Sequence, residues 1–249
     1  MLFNFLSFNR KIVRAEISLH VCIYIKQSYN STLLQKKFHK YLQLKLNATL
    51  PGREAQRIMA PHPVNGSNSI RNYEPANDDF RNSSVLVPLI FWKEELEVIL
   101  TLRTESINHG GQLSFPGGGT EGDETIEETA LRESQEEIGL NPDYAKIVGQ
   151  LTPLYVGHSD NMVTPVVAFL MKEQAFIPNP NEVDEIISVP ISKLVEEQNL
   201  IEENWDLRGT PYRVPFWNIH RVPLWGATAM IMSELIELYK EFLDSTSSS

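Results

Sequence analysis

The residues from Gly118 to Gly139 read GGTEGDETIEETALRESQEEIG, and this stretch carries the strongest structural signal in the chain. Thr125 followed three residues later by Glu128 forms a capping box, a pattern that starts a helix. Gly139 is a typical helix end, because glycine adopts a left-handed backbone conformation without strain. The spacing predicts a helix over 125–138 that has one face of apolar and small side chains, namely Ile126, Ala130, Ser134 and Ile138.

Three carboxylates lie on a second face of this predicted helix. Glu133, Glu136 and Glu137 occupy positions i, i+3 and i+4, so their side chains are neighbours. Like charges at that spacing destabilise a helix by roughly a few tenths of a kcal/mol per pair, and a divalent cation with oxygen ligands, Mg²⁺ or Mn²⁺, offsets the repulsion. A solvated acidic face is the common alternative. The glycine-rich turn at 116–119 favours the metal site, because glycines let the backbone approach a ligand closely.

The rest of the chain mixes strand and helix patterns without a regular βαβ alternation. Strands are predicted at 85–91, 97–102, 112–115, 146–155, 163–170 and 212–219. Helices are predicted at 32–46, 53–59, 125–138, 191–197 and 227–243. This order favours an α/β sandwich with a mixed sheet over a doubly wound sheet.

The chain divides into four segments by composition. Residues 1–30 are interpreted as an N-terminal extension outside the fold, with a basic targeting presequence as the alternative. Residues 31–82 are expected to form a helical N-terminal region followed by a linker rich in Pro, Asn and Ser, with 61–82 as loop. The main domain is predicted at 83–244, and 245–249 is expected to be a disordered tail.

Charge and cysteine content exclude several classes of function. The first 60 residues hold ten Lys and Arg against two Asp and Glu, whereas the remainder holds twelve against thirty. An acidic body does not attract a nucleic acid backbone, and phosphate chemistry within it requires cations. The single cysteine, Cys22, excludes an intramolecular disulfide and fits a reducing, cytoplasmic location. No apolar run reaches the roughly 18–20 residues that a membrane-spanning helix needs.

Seven positions of the 118–139 stretch resemble the Nudix box. They are Gly118, Glu124, Arg132, Glu133, Glu136, Glu137 and Gly139, at the spacing G-x5-E-x7-R-E-x2-E-E-x-G. Ser134 departs from the family pattern, which usually has an aliphatic residue there. The resemblance implies a Nudix-like α/β/α sandwich with a mixed sheet and a catalytic loop-helix-loop motif. It also implies hydrolysis of a nucleoside diphosphate linked to another moiety.

Flanking segments resemble the coenzyme A pyrophosphatases within that family, and the similarity covers about 33–242. The segments are 99–104 (ILTLRT), 111–118 (GQLSFPGG), 153–156 (PLYV), 182–185 (EVDE) and 225–229 (WGATA). This implies cleavage of coenzyme A or its derivatives to 3′,5′-ADP and 4′-phosphopantetheine. The subfamily's second signature arginine is missing near Asn108, which keeps another substrate open, such as ADP-ribose, NADH or a dinucleoside polyphosphate. A non-catalytic Nudix-fold binding module is a further alternative.

The resemblance also assigns roles to residues. Glu133, Glu136 and Glu137 are the implied ligands of Mg²⁺ or Mn²⁺. Arg132, which from its spacing either pairs with Glu128 or steadies a carboxylate, would orient Glu133, and Glu124 would support the loop or reach the metal through water. The implied phosphate contact is the backbone of Gly117, Gly118 and Gly119. Arg103 is a further candidate, because guanidinium suits bidentate phosphate binding, with a surface arginine of a strand as the alternative. The general base stays open between a glutamate of the helix, Glu182 and Glu185. For Glu182 and Glu185, a solvated loop acid is the favoured alternative.

Further candidates rest on residue type alone. The loop histidines His109 and His158 are candidates for substrate contacts, with polar surface as the alternative. Trp217 and Trp225 are candidates for stacking on an adenine, with core packing as the alternative. The expected partner is a small nucleotide, with no nucleic acid and no membrane. The apolar final helix either packs on its own domain or forms a homodimer.

Overall fold

The structure is a computed structural model, and it describes residues 33–64, 74–92, 95–106 and 110–247. The helices are α1 (33–45), α2 (Gly52–Arg57), α3 (Ile126–Ile138), α4 (Ile191–Val195) and α5 (Gly226–Ser247). The strands are β1 (His62–Pro63), β2 (Arg81–Trp92), β3 (Glu95–Arg103), β4 (Leu113–Ser114), β5 (Gly117–Gly119), β6 (Ala145–Gln150), β7 (Leu154–Val156), β8 (Asn161–Leu170), β9 (Val183–Pro190), β10 (Leu200–Asp206) and β11 (Pro211–Trp217).

The larger sheet is mixed, as the sequence predicts. Its order within the described residues is β4-β3-β2-β8-β6, with β5 beside β2, β7 beside β8 and β9 beside β3. The central pair β2 and β8 is parallel, and the other pairs of this sheet are antiparallel. β8 is almost continuously buried, because helices cover both faces of the sheet.

Alternate side chains of the central strands enter two different cores. Leu86 of β2 and Ile99 of β3 pack with Ala130 and Ile138 of α3 on one face. Val87 and Leu89 point to the opposite face, which packs against apolar residues of α1 and α5, among them Phe38, Leu42, Met232 and Leu235. The described part of the chain is therefore an α/β/α sandwich, with α3 on one face of the sheet and α1 and α5 on the other.

The N-terminal helices pack on the same core as the rest of the fold. Phe38 and Met59 are fully buried within it. The expectation of loop throughout 61–82 is wrong at both ends, because His62 and Pro63 pair with β11 and β2 begins at Arg81. Strand pairing at a sheet edge requires no apolar alternation, and Pro63 is tolerated there.

Further differences separate the expected elements from the structure. The single strand expected at 146–155 is two strands, β6 and β7, interrupted next to Pro153, which lacks an N–H for the ladder. The sequence patterns did not predict β9 or β10, and β10 carries several charged side chains. They also indicated a turn at 116–119, where Gly117–Gly119 instead pair with β2 as the short strand β5. α5 continues to Ser247, into the expected tail, with the Ser245 hydroxyl donating to the Phe242 carbonyl. Residues 1–30 lie outside the described residues.

A smaller sheet contains the β10–β11 hairpin and β1. The hairpin pairs from Leu200 opposite Trp217 to Asp206 opposite Pro211. Its tip lies at the same cleft as the glycine-rich strand β5. No helix among the described residues is long and apolar enough to cross a membrane.

Candidate active site

Two glycines of β5 leave no room for a side chain, Gly117 beside β2 and Gly118 beside Glu133 of α3. A Cβ atom at Gly117 would lie 2.3 Å from the Ser84 carbonyl oxygen, and one at Gly118 would lie 2.4 Å from Oε1 of Glu133. At Gly117 the close atoms are backbone, so only glycine fits there, whereas at Gly118 they belong to the end of the Glu133 side chain. The expected capping box at Thr125 and Glu128 and the left-handed end at Gly139 are both present, so α3 begins and ends as the sequence predicts.

Arg132 joins the glycine strand to the acidic face of α3. Its Nε lies 2.6 Å from Oε1 of Glu124, and its Nη2 donates to the Gly119 carbonyl at 3.0 Å. Its Nη1 lies 3.0 Å from Oε1 of Glu133 and 3.3 Å from Oε2 of Glu136. The Arg132 hydrogen bond lowers the pKa of Glu124 to about 2. Arg132 therefore steadies carboxylates, while Glu128 serves in the capping box.

Glu137 is the buried member of the acidic face, with 1% of its surface exposed. Its Oε2 accepts from the Gly117 N–H at 3.2 Å, and its Oε1 lies 3.3 Å from Nη1 of Arg103. Burial raises the pKa of Glu137 to about 7, although the charge of Arg103 opposes the shift. Arg103, expected as a phosphate contact, thus lies beside a carboxylate and also lines the cleft.

The acidic side chains of α3 interact with one further acid, Glu182. Burial raises the pKa of Glu133, and the charges of Glu136 and Glu182 raise it further. Glu182 also acts on Glu137 in the same direction. Such a group of carboxylate oxygens beside a glycine strand is the donor set that Mg²⁺ and Mn²⁺ prefer, so the residues fit the ion. Within the described ranges, no three side chains already stand in a preformed metal site, and arginines neutralise the carboxylates instead.

The structure separates the two loop acids that the sequence left open. Glu182 belongs to the carboxylate group of α3, and Asn179 Nδ2 lies 3.3 Å from its Oε1. Glu185 bonds Arg221 instead and lies 3.5 Å from Nε2 of His220. Arg221 lowers the pKa of Glu185, so this acid already serves an ion pair.

A large cleft opens beside the glycine strand. It has a volume of about 1260 Å³ and lies between β5, the segment 154–159, the tip of the β10–β11 hairpin and the first turn of α5. Its floor is partly apolar, with Val85, Phe115, Leu154, Met230 and Ile231. Three arginines line it, and two of them, Arg81 and Arg208, were missed because no local motif marks them.

The structure places the histidine and tryptophan candidates in different surroundings. His158 and Trp225 line the cleft. Trp217 is buried and donates Nε1 to the Leu194 carbonyl at 3.0 Å, which is a packing role. His109 and Asn108 lie outside the described residues.

Comparisons with known proteins agree with this geometry. The NUDIX domain family model matches residues 81–209, more than half of the chain. The uncharacterized Nudix hydrolase NudL of Photorhabdus laumondii is 34% identical over 163 residues, covering 65% of this chain and 86% of that protein. The human mitochondrial coenzyme A diphosphatase NUDT8 is 34% identical over 166 residues, covering 63% of this chain and 69% of that protein. The mouse peroxisomal coenzyme A diphosphatase NUDT7 is 40% identical over 117 residues, covering 46% of this chain and 49% of that protein. Since the matched region contains the glycine strand, α3 and every residue of the box, this chain belongs to the Nudix family and is a Nudix hydrolase.

Proposed function

We propose that this hydrolase cleaves the diphosphate linkage of coenzyme A or its derivatives, giving 3′,5′-ADP and 4′-phosphopantetheine. The observation that carries the proposal is the meeting of the carboxylates of α3, Glu182 and the glycine strand beside a cleft large enough for an extended nucleotide. The flanking segments that resemble coenzyme A pyrophosphatases support it. So do two relatives whose names are coenzyme A diphosphatases.

In this proposal Glu133, Glu136 and Glu137 hold Mg²⁺ or Mn²⁺, in keeping with the general need of Nudix hydrolases for divalent metal ions. When bound, the ion neutralises the diphosphate and lowers the pKa of a water molecule. Arg132 fixes the orientation of Glu133 and ties it to Gly119. Glu124 is a positioning residue, because its two oxygens engage Arg132 and the Glu121 N–H.

The phosphate-binding part of the proposal rests on β5 and Arg103. The backbone of Gly117, Gly118 and Gly119 lies beside the carboxylates and faces the cleft, so it lets a diphosphate approach without steric hindrance. Arg103 contributes a guanidinium at the same place, a group whose planar geometry suits phosphate oxygens.

Glu182 is the general base in this proposal. It interacts with Glu133 and Glu137, and no arginine pairs with it among the described residues. A water molecule attacks phosphorus, its proton moves to the Glu182 carboxylate, and the bridging P–O bond breaks with the electron pair leaving on the phosphate oxygen. Glu185 is not used, because Arg221 engages it.

A second candidate function is hydrolysis of another nucleoside diphosphate derivative. The absence of the second signature arginine near Asn108 favours it. A panel of coenzyme A, acyl-coenzyme A, ADP-ribose, NADH and diadenosine polyphosphates, assayed with Mg²⁺ and Mn²⁺, separates the two. We expect the highest kcat/KM for coenzyme A or an acyl derivative; a clear preference for ADP-ribose would overturn the coenzyme A assignment.

Two further proposals concern the cellular location of the protein and its oligomeric state. The single cysteine supports a cytoplasmic location, which cell fractionation tests. The apolar residues of α5 that suggested a homodimer, such as Met230, Leu235 and Leu238, are buried in the chain's own core. A monomer is therefore the better expectation, and light scattering on the purified protein measures it.

A further inference from the structure

The tip of the β10–β11 hairpin is a two-residue turn with an unusual residue in it. Leu207 and Thr210 exchange backbone hydrogen bonds, with N···O distances of 2.9 and 3.4 Å, so Arg208 and Gly209 form the turn. Their φ angles are 61° and 79°. A turn with both φ values positive favours Asn-Gly or Asp-Gly, and arginine is disfavoured in the left-handed region. Turn chemistry therefore does not explain Arg208, and residues held in such conformations are frequent at binding sites.

The turn is fixed in place by its neighbours. Oδ1 of Asp206 accepts from the Gly209 N–H at 2.6 Å. The Trp205 ring lies 5.2 Å from the Phe216 ring, and it contacts the Trp225 ring edge-on at the same distance. Trp225 immediately precedes α5 and lines the cleft. The hairpin tip is thus anchored to the wall of the cleft, and Arg208 extends the cleft lining beyond the glycine strand.

The three arginines of the cleft differ in what they already bind. Arg103 pairs with Glu137, and Arg81 donates Nη2 to the Ser159 carbonyl. Arg208 is exposed, and the described part of the chain contains no hydrogen bond or ion pair to its guanidinium. A cation held on the cleft wall without an internal partner is suited to an external anion, and guanidinium binds phosphate oxygens in a bidentate manner.

We propose that Arg208 binds a second anionic group of the substrate, a phosphate monoester that is separate from the scissile diphosphate. This inference rests on the proposed function, in which the monoester is the 3′-phosphate of coenzyme A. The cleft volume, about 1260 Å³, exceeds the roughly 300–1,000 Å³ of common ligand pockets, so it accommodates a substrate that reaches from the glycine strand to the hairpin tip.

The test compares ligands that differ by this one phosphate. Arg208→Asn removes the charge and keeps a residue that tolerates the turn. The matched control is Arg213→Asn on β11, an exposed arginine of the same hairpin that lies 3.8 Å from Glu202 and does not line the cleft. Equilibrium binding of 3′,5′-ADP and 5′-AMP is measured by calorimetry, and kcat/KM is measured for coenzyme A and 3′-dephospho-coenzyme A.

We expect Arg208→Asn to weaken 3′,5′-ADP binding about tenfold, the size of one charge-assisted hydrogen bond, and to lower kcat/KM for coenzyme A similarly. The affinity for 5′-AMP and kcat/KM for 3′-dephospho-coenzyme A should not change, and Arg213→Asn should match the wild type throughout. Equal losses for both members of a ligand pair, or no loss, would overturn the inference. In a further outcome the wild type hydrolyses neither coenzyme A nor 3′-dephospho-coenzyme A, while Arg208→Asn still abolishes the preference for 3′,5′-ADP over 5′-AMP. In that case the proposed function fails and the role of Arg208 stands.

Discussion

The backbone N–H of Gly117 lies 3.2 Å from Oε2 of Glu137, so the glycine strand and the acidic helix share one buried carboxylate. Arg103 contacts the other oxygen of the same group. Glu137 thus fixes the strand that would face the phosphates, in addition to its proposed role as a metal ligand. Glu136, one residue earlier, has 54% of its side chain exposed, and its carboxylate forms an ion pair with Arg132. The two neighbouring acids therefore differ in how far the fold depends on them.

Glu136→Gln should separate catalysis from folding. We expect kcat to fall by about a hundredfold or more, because a metal ligand that neutralises the diphosphate is lost. The free energy of unfolding in urea should change by less than about 0.5 kcal/mol, as for exposed sites in general. Activity at the wild-type rate would contradict the assignment of Glu136 as a metal ligand.

Replacing the two loop acids should give opposite results. Glu182→Gln is expected to lower kcat by about a hundredfold or more, the usual contribution of a general base, because Glu182 interacts with Glu133 and Glu137. Glu185→Gln is the matched control, since its carboxylate bonds Arg221, and it should retain most activity. Measured kcat with saturating Mg²⁺ decides between them, and an equal loss in both variants would remove Glu182 from its proposed role.

Adding one methyl group to β5 should have an effect that depends on position. In Gly117→Ala the new Cβ would lie 2.3 Å from the Ser84 carbonyl oxygen and 2.6 Å from the Val85 Cα, so the backbone of β2 would have to move. We expect a loss of about 1–3 kcal/mol in unfolding free energy, as for other overpacked sites. Gly119→Ala provides the comparison because its Cβ would meet nothing within 4 Å. Urea denaturation of both variants measures the difference, and equal stabilities would show that the close approach is not a constraint.

The buried carboxylate Glu234 of α5 should make stability depend on pH. It accepts hydrogen bonds from Gly52, Gln56 and Thr152, which hold α2 and the 151–153 segment on α5. Burial nevertheless raises the pKa of Glu234 above its ordinary value. A carboxyl group with a raised pKa in the folded state contributes stability below its ordinary pKa, and this contribution is lost as pH rises through the raised value.

The advantage of the wild type over Glu234→Gln should therefore shrink as pH rises from about 4 to neutrality, since glutamine does not titrate. Urea denaturation at several pH values measures this difference. Glu237→Gln is the control on the same helix, because Glu237 bonds Lys240 near the surface. A wild-type advantage that stays constant or grows with pH would contradict the direction of the shift.

The sequence by itself determined the Nudix motif and most of its local structure. The capping box, the glycine end and the acidic face of α3 lie within one helix, where contacts are between residues three or four apart. The mixed sheet was also predictable, because the strand and helix patterns follow one another without a regular βαβ alternation. These features depend on local geometry and periodicity, which a sequence displays directly.

Only the tertiary structure decided the rest of the site. Glu182 and Glu185 are equivalent in sequence, yet one joins the carboxylates of α3 and the other pairs with Arg221. β10 carries three acids and becomes a strand because β11 pairs along its whole length. Its tip then brings Arg208 to the cleft of a glycine strand about 90 residues earlier in the chain. Burial, pairing and charge contacts between distant segments depend on how the layers pack, and no short sequence pattern encodes that packing.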